Sequence, residues 1–149
     1  MILTSPSFED GGEIPKKFTC DGGDINPELS IQNVPEDAES LAIIMHDPDA
    51  PREGGFTHWV VWNIVPTTAV IKEESTPPGS VEGLNGAKKS GYMGPCPPSG
   101  THHYEFHIYA LDTILELPES ADKAALEREI KKYLIEEAVL AGVYSRHAT

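Results

Sequence analysis

Cysteine is scarce in this chain: Cys20 and Cys96 are the only two, and they lack CxxC spacing. Neither a structural zinc site nor a disulfide framework is expected from that count. Basic residues are also few. Eleven Lys and Arg face twenty-four Asp and Glu, a formal net charge of −13. Phosphate backbones and anionic lipid surfaces repel such a chain, so nucleic-acid binding and stable membrane association are not expected. A small anion is not excluded, because local donors in a pocket outweigh a distant net charge. No apolar run is long enough to span a bilayer, and "MILTSPSFEDGGEIP" is not a basic segment followed by an apolar one. A cytoplasmic protein is the expectation, and in that compartment Cys20 and Cys96 are expected as two free thiols. Repeats, linkers and low-complexity segments are absent too, so residues 1–149 read as one domain. The 39% hydrophobic content is enough for a core, and 149 residues can bury a sizeable one.

What is present is mostly β-like. "ELSIQNV" from Glu28, "SLAIIMHD" from Ser40, "THWVVWNIV" from Thr57 and "HYEFHIYALD" from His103 are short apolar runs bounded by Gly, Pro, Asn or Asp. "VLAGVYS" from Val139 closes the series. From Ala121 to Ala138 the period changes: Leu126, Ile130, Tyr133, Leu134 and Ala138 recur at helical spacing, with charges between them. That predicts one amphipathic helix packed on a sheet, with Ser120 as its N-cap.

Side chains alternate along a strand, which sorts the polar residues by face. His102 shares a face with Tyr104, Phe106 and Ile108, whereas His103 and His107 share the other. By the same count His58 lies with Val60, Trp62 and Ile64, and Asp47 follows Ile43 and Met45. Three ionisable residues at strand ends are thus aligned with apolar faces: Asp47, His58 and His102. Two rigid loops accompany them. "HDPDAP" at 46–51 carries two prolines, and "MGPCPPSG" at 93–100 carries three prolines and two glycines. One X-Pro bond in such loops is a candidate for cis geometry. An Asx turn would explain Asp47 or Asp49, and a satisfied strand-end histidine either imidazole, when each is taken alone. Together they offer convergent imidazoles, a carboxylate to orient them, and loop N–H groups, which suits capture of an anion. Tyr104 or Trp59 could add a stacking surface.

Other chemistries fit less well. There is no HExxH, no HxH on the inward face and no paired cysteine ligand set. His103 and His107 are four apart on a strand, about 13 Å, too far for one ion. Asp47, His58 and His102 could form a two-His, one-carboxylate set, but no metal or cofactor is expected. No GxSxG elbow is present, and Ser99 sits in a loop. Cys96 near His102 would make a Cys–His pair without an evident third member.

"DPDAP", "THWVVWNI" and "GYMGPCPPSGTHHYEFHIYALD", in that order, resemble the phosphatidylethanolamine-binding protein family, in particular its bacterial and archaeal Raf kinase inhibitor-like branch. "FTCDGGDINPELSIQNVP" and "AVLAGVYSR" extend the likeness over almost the whole chain. The resemblance implies a mainly β fold: a large central antiparallel sheet on a smaller sheet, with a C-terminal amphipathic helix and short flanking helices. It also implies a small cavity for phosphate-like anions or phosphorylated head groups. That cavity would be lined by Asp47, Asp49, Pro51, His58, Gly94, Pro95, Cys96, His102 and Tyr104. Asp47 would orient both imidazoles and raise their pKa values. One departure stands out: the family commonly has Arg after the residue matching His102, and this chain has His103. A titrating ring there makes any ion pair with a motif carboxylate pH-dependent. The expected function is a non-enzymatic binding protein that captures an anion or a phosphate group on a partner. Its rivals are a hydrolase using the Asp47/His58/His102 cluster, and a protease or kinase inhibitor acting through its surface. A homodimer is implied as well.

Overall fold

The computed structural model describes residues 1–146. Five strands build the main antiparallel sheet: β3 (Ser40–Asp47), β4 (Phe56–Ile64), β6 (Val81–Glu82), β7 (Thr101–Leu111) and β8 (Leu134–Ser145), ordered β6-β4-β3-β7-β8. Three short strands, β1 (Ile2–Thr4), β2 (Leu29–Gln32) and β5 (Val70–Ile71), form a second sheet in the order β1-β2-β5. The single helix among the described residues, α1 (Lys123–Tyr133), lies between β7 and β8 in sequence. The mainly β architecture of a large sheet on a small one matches the expectation. Besides α1, the described helical content is one turn of 3₁₀ helix at Lys16–Phe18, so the short flanking helices shrink to that turn.

Both faces of the main sheet are covered. Leu41, Ile43, Met45, Trp59, Val61, Tyr104, Phe106 and Ile108 pack toward the small sheet, where Leu3, Leu29, Ile31 and Ile71 meet them. Ala42, Ile44, Val60, Trp62, Tyr109 and Leu111 pack on the other side against Leu126 and Ile130 of α1. This is why β3 reads as an almost unbroken apolar run: a central strand covered on both sides has no solvent face to mark.

The helix is shorter than its sequence period. Asp122, not Ser120, caps it, its side chain accepting from the Ala125 N–H at 3.1 Å. It ends at Tyr133, and Leu134–Ala138, expected as its last turn, instead open β8. There Leu134 pairs with Leu111 and Ala138 with Ile108 of β7. An eleven-pair ladder with β7 outweighs one further turn of local helix preference.

The polar cluster arises at one end of the main sheet. Asp47 is the last residue of β3, Phe56 and His58 open β4, and His102 and Tyr104 open β7. The β3–β4 connection returns sharply enough that Gly55, at φ +75°, leaves no room for a side chain. A Cβ there would lie 2.3 Å from the Asp47 carbonyl oxygen. All described peptide bonds are trans, including those before Pro48 and Pro51.

Candidate functional site

His58 reaches the cluster through an irregularity that alternation cannot foresee. Thr57 pairs with His46 and Trp59 with Met45, so His58 is an extra residue bulged out of the β3–β4 ladder. That bulge, and a second one where Leu41 pairs with Ile64 but Ile43 with Val61, break the parity assumed above. Val60 and Trp62 face α1, Ile64 faces the small sheet, and His58 turns toward Tyr104, with ring centroids 5.2 Å apart. Re-aiming a side chain beside a site is what such bulges do.

The buried Asp47 carboxylate has two partners. Its Oδ2 accepts from His102 Nδ1 at 2.6 Å, and its Oδ1 accepts from the Asp49 N–H at 2.8 Å. The second bond is the Asx turn, so the orienting carboxylate and the turn residue are one and the same. A carboxylate only accepts, so His102 carries a proton on Nδ1 and turns Nε2 outward. Asp47 does not orient both imidazoles, however. His58 Nδ1 donates to the Met93 carbonyl at 2.7 Å, and burial holds its pKa below the ordinary value. The raised pKa expected for both rings is therefore corrected for His58: its ring is neutral near pH 7, and Nε2 presents a lone pair.

These groups line a cavity of about 320 Å³ together with Ala50, Pro51, Arg52, Phe56, Met93, Gly94, Cys96, Pro97, Pro98 and Tyr104. Tyr104 is fully buried, and its hydroxyl proton finds no acceptor among the described residues, although the Cys96 N–H approaches the oxygen. Burial, with the nearby Asp47 and Asp49 charges, drives its pKa upward, so it remains an O–H donor. Its ring lies nearly parallel to that of His102, 24° between planes. Trp59, the other stacking candidate, is core: it is fully buried and donates through Nε1 to Glu82 Oε2 at 2.8 Å.

Seven of the nine sequence candidates line the cavity, and two do not. Asp49 faces away and is paired with His103, whose N–H and Nδ1 lie 2.8 and 2.7 Å from Asp49 Oδ2. Those bonds hold the Asp49 carboxyl below the ordinary range. His103 is thus the residue that meets the Asp49 carboxylate. Pro95 lies behind the wall, its carbonyl accepting from the Cys20 N–H at 3.1 Å. The Gly94 N–H, expected to face a ligand, is committed to Asp24 Oδ1 at 2.7 Å.

Sequence reasoning passed over Arg52 and Phe56. The Arg52 guanidinium sits 5.1 Å over the Phe56 ring at the cavity mouth, with no carboxylate in ion-pair range among the described residues. Its position directly after "DPDAP" was the available signal.

Cys20 and Cys96 are not thiols. They form a disulfide with 5.5 Å between Cα atoms. The free-thiol expectation failed because sequence does not reveal that the loops of residues 19–24 and 93–96 run side by side. The bridge also removes the Cys96–His102 pair, since a disulfide sulfur is no thiolate nucleophile.

A larger cleft of about 410 Å³ lies beside His46 and Lys123. Several of its polar groups are already engaged: His46 bonds the Gly54 carbonyl and Thr57, Asp122 caps α1, and Lys123 pairs with Glu127. The smaller cavity, with an orphaned donor and two free imidazole edges, is the stronger candidate.

The fold is mainly β, two antiparallel sheets and one helix among the described residues, with a small imidazole-lined cavity at one end of the main sheet. The chain belongs to the phosphatidylethanolamine-binding protein family, whose profile matches residues 4–145. The UPF0098 protein of Methanothermobacter thermautotrophicus is 45% identical over 98% of this chain and 99% of its own. Among solved structures, the phosphatidylethanolamine-binding protein homologue CT736 of Chlamydia trachomatis superposes with a TM-score of 0.94 at 41% identity, over 98% of this chain and 97% of that one. E. coli YbcL, described as a member of the mammalian family, gives a TM-score of 0.92 at 30% identity, over 97% and 98%. No described helix is long and apolar enough to cross a membrane.

The site also sets a pH dependence of stability. His58 and His46 both titrate below the ordinary 6.5, chiefly through burial. Below pH 6.5 the unfolded chain therefore takes up protons that the folded one refuses, and stability falls with pH until the folded values are reached. Asp21 and Asp49, depressed by Tyr144 and His103 respectively, add a second loss below about pH 4. Calorimetry should show Tm level from pH 8 to 7 and declining below 6.5. A Tm that rises on acidification to pH 5 would contradict the assignment.

Proposed function

We propose that this chain is a non-enzymatic binding protein whose cavity takes a phosphate group, free or on a larger molecule. The observation that carries this reading is the Tyr104 hydroxyl, a buried donor without an acceptor on a residue that lines the cavity together with His58 and His102. A buried polar group left unpaired costs about 1–3 kcal/mol, which a ligand oxygen would recover. Arg52 adds a charged donor, His58 Nε2 accepts, and His102 turns its Nε2 edge to the same space. A phosphate monoanion matches that set, its P–OH donating to His58 and its other oxygens accepting. A dianion with a protonated His58 contains the same number of protons, so either description predicts tighter binding at lower pH.

The test is an NMR titration with inorganic phosphate, phosphoethanolamine and phosphotyrosine at pH 6 and 8. Saturable shifts at His58, His102 and Gly94 are expected, with affinity about tenfold weaker at pH 8. His102→Ala should abolish binding. Unchanged affinity in that variant removes the pocket assignment, and turnover of a phosphate ester lost in His58→Ala would favour the hydrolase instead.

Regulation or inhibition of a kinase or protease partner belongs to the same proposal, with the phosphate on the partner as the recognised group. A homodimer does too; β8 leaves Leu134 and Val139 exposed for it. Cytoplasmic placement sets the Cys20–Cys96 bridge among cellular thiols, where disulfides are uncommon outside hyperthermophile proteins.

A further inference from the structure

The cavity wall from Cys96 to Thr101 is tied down unevenly. Upstream, Met93 and Gly94 are held by backbone donors to the His58 carbonyl at 3.0 Å and Asp24 Oδ1 at 2.7 Å. Downstream, β7 begins at Thr101. Between them, Pro97, Pro98 and Ser99 make no hydrogen bond with any described residue. Two of the three have no N–H to give. Yet Cys96, Pro97 and Pro98 all line the cavity. What fixes this stretch beyond packing is the Cys20–Cys96 bridge, and both cysteines are exposed. Exposed disulfides are the reducible ones.

We propose that the Cys20–Cys96 disulfide is a thiol–disulfide exchange site that sets the affinity of the phosphate cavity; this rests on the phosphate reading above. The reacting partner is a dithiol, small or protein-borne. One of its thiolates attacks a bridge sulfur, the Sγ–Sγ bond breaks, and a mixed disulfide forms while the other cysteine leaves as thiolate. The partner's second thiolate then attacks the partner's own sulfur in the mixed disulfide, the bonded cysteine leaves as thiolate, and the partner departs as a disulfide. Two electrons pass to the bridge, and the two protons of the dithiol end on Cys20 and Cys96. Once cut, residues 96–100 lose their tether to the Thr19–Asp24 loop, and the wall no longer holds the geometry that the imidazoles and Tyr104 require. Oxidised protein binds phosphate; reduced protein binds it weakly.

Linkage makes the relation reciprocal. If reduction weakens phosphate about tenfold, within the usual range of coupling, then saturating phosphate must make the bridge tenfold harder to reduce. For a two-electron couple that lowers its potential by about 30 mV. The experiment measures inorganic phosphate affinity by NMR in oxidised and dithiothreitol-reduced protein. It also measures the bridge potential in dithiothreitol redox buffers with saturating phosphate or with chloride at equal ionic strength. Cys20→Ser supplies a permanently open form, and core methyl dispersion reports whether each form is folded. Tenfold weaker binding in a folded reduced protein, with the matching potential shift, supports the switch. Equal affinity in both redox states with an unmoved potential overturns it and leaves the phosphate reading intact. Global unfolding on reduction also overturns it and makes the bridge a structural staple. Absence of phosphate binding in the oxidised protein removes the phosphate reading, and the switch with it.

Discussion

Asp47→Ala is expected to cost about 2–3 kcal/mol in folding stability and to abolish phosphate binding. The wild-type carboxylate is 3% exposed and its partner His102 is 7% exposed, so water cannot replace what the substitution removes. Two donors are stranded: His102 Nδ1, now 2.6 Å from Oδ2, and the Asp49 N–H, now 2.8 Å from Oδ1. The cost stays below that of a stranded permanent charge because an imidazole can carry its proton on the other ring nitrogen. The ring also loses its orientation, so Nε2 is no longer held toward the cavity. Asp47→Asn separates these effects. Its single oxygen can keep the Asp49 N–H, which turns its NH₂ toward His102 Nδ1. That ring must then accept at Nδ1 and carry its proton on Nε2. The variant should lose about 1 kcal/mol, half or less of the alanine cost, and keep weak phosphate binding with a flatter pH profile. Urea unfolding, phosphate titration and the imidazole ¹⁵N shifts of His102 read the three effects. An Asp47→Ala protein as stable as wild type would remove Asp47 from its central place.

The parts of this arrangement that sequence disclosed are those governed by local rules. Alternation put His102 and Tyr104 on one face because β7 pairs with β3 without a bulge. Proline content marked residues 46–51 and 93–100 as stiff, and both loops do wall the cavity. The failures are non-local. His58 was placed on the wrong face because a bulge depends on how β4 meets β3, not on β4 alone. The helix ran five residues too far because Leu134–Ala138 satisfy helical period and strand pairing equally, and only β7 decides between them. The disulfide needed two loops distant in sequence to lie alongside each other, which neither composition nor spacing reports. Arg52 was overlooked because its one signal, a place directly after "DPDAP", is weak in sequence; its place over Phe56 at the cavity mouth is what singles it out.

Gly94→Ala is the second large effect expected, and it tests how the wall is held. A Cβ at Gly94 would lie 2.4 Å from the Phe18 carbonyl oxygen, 2.6 Å from Asp24 Oδ1 and 2.9 Å from Thr19 Cα. Two of those atoms are main chain, so no rotamer change relieves the overlap. The wall must move off the loop that contains Thr19, while the Gly94–Asp24 and Cys20–Pro95 hydrogen bonds and the bridge pull it back. Overpacking against fixed backbone costs about 3 kcal/mol, the upper end of the usual range. Phosphate affinity should fall with the displaced wall. Gly79→Ala is the control: at φ +82° with nothing within 4 Å of its Cβ, it meets only backbone strain, about 1 kcal/mol, and lies in the β5–β6 connection away from the cavity. Equal costs at the two glycines, with unaltered phosphate affinity, would mean the wall yields freely. In a Cys20→Ser background the bridge no longer opposes the shift, so the penalty at Gly94 should shrink while that at Gly79 stays the same. That non-additivity would locate the constraint in the bridge rather than in the hydrogen bonds beside it.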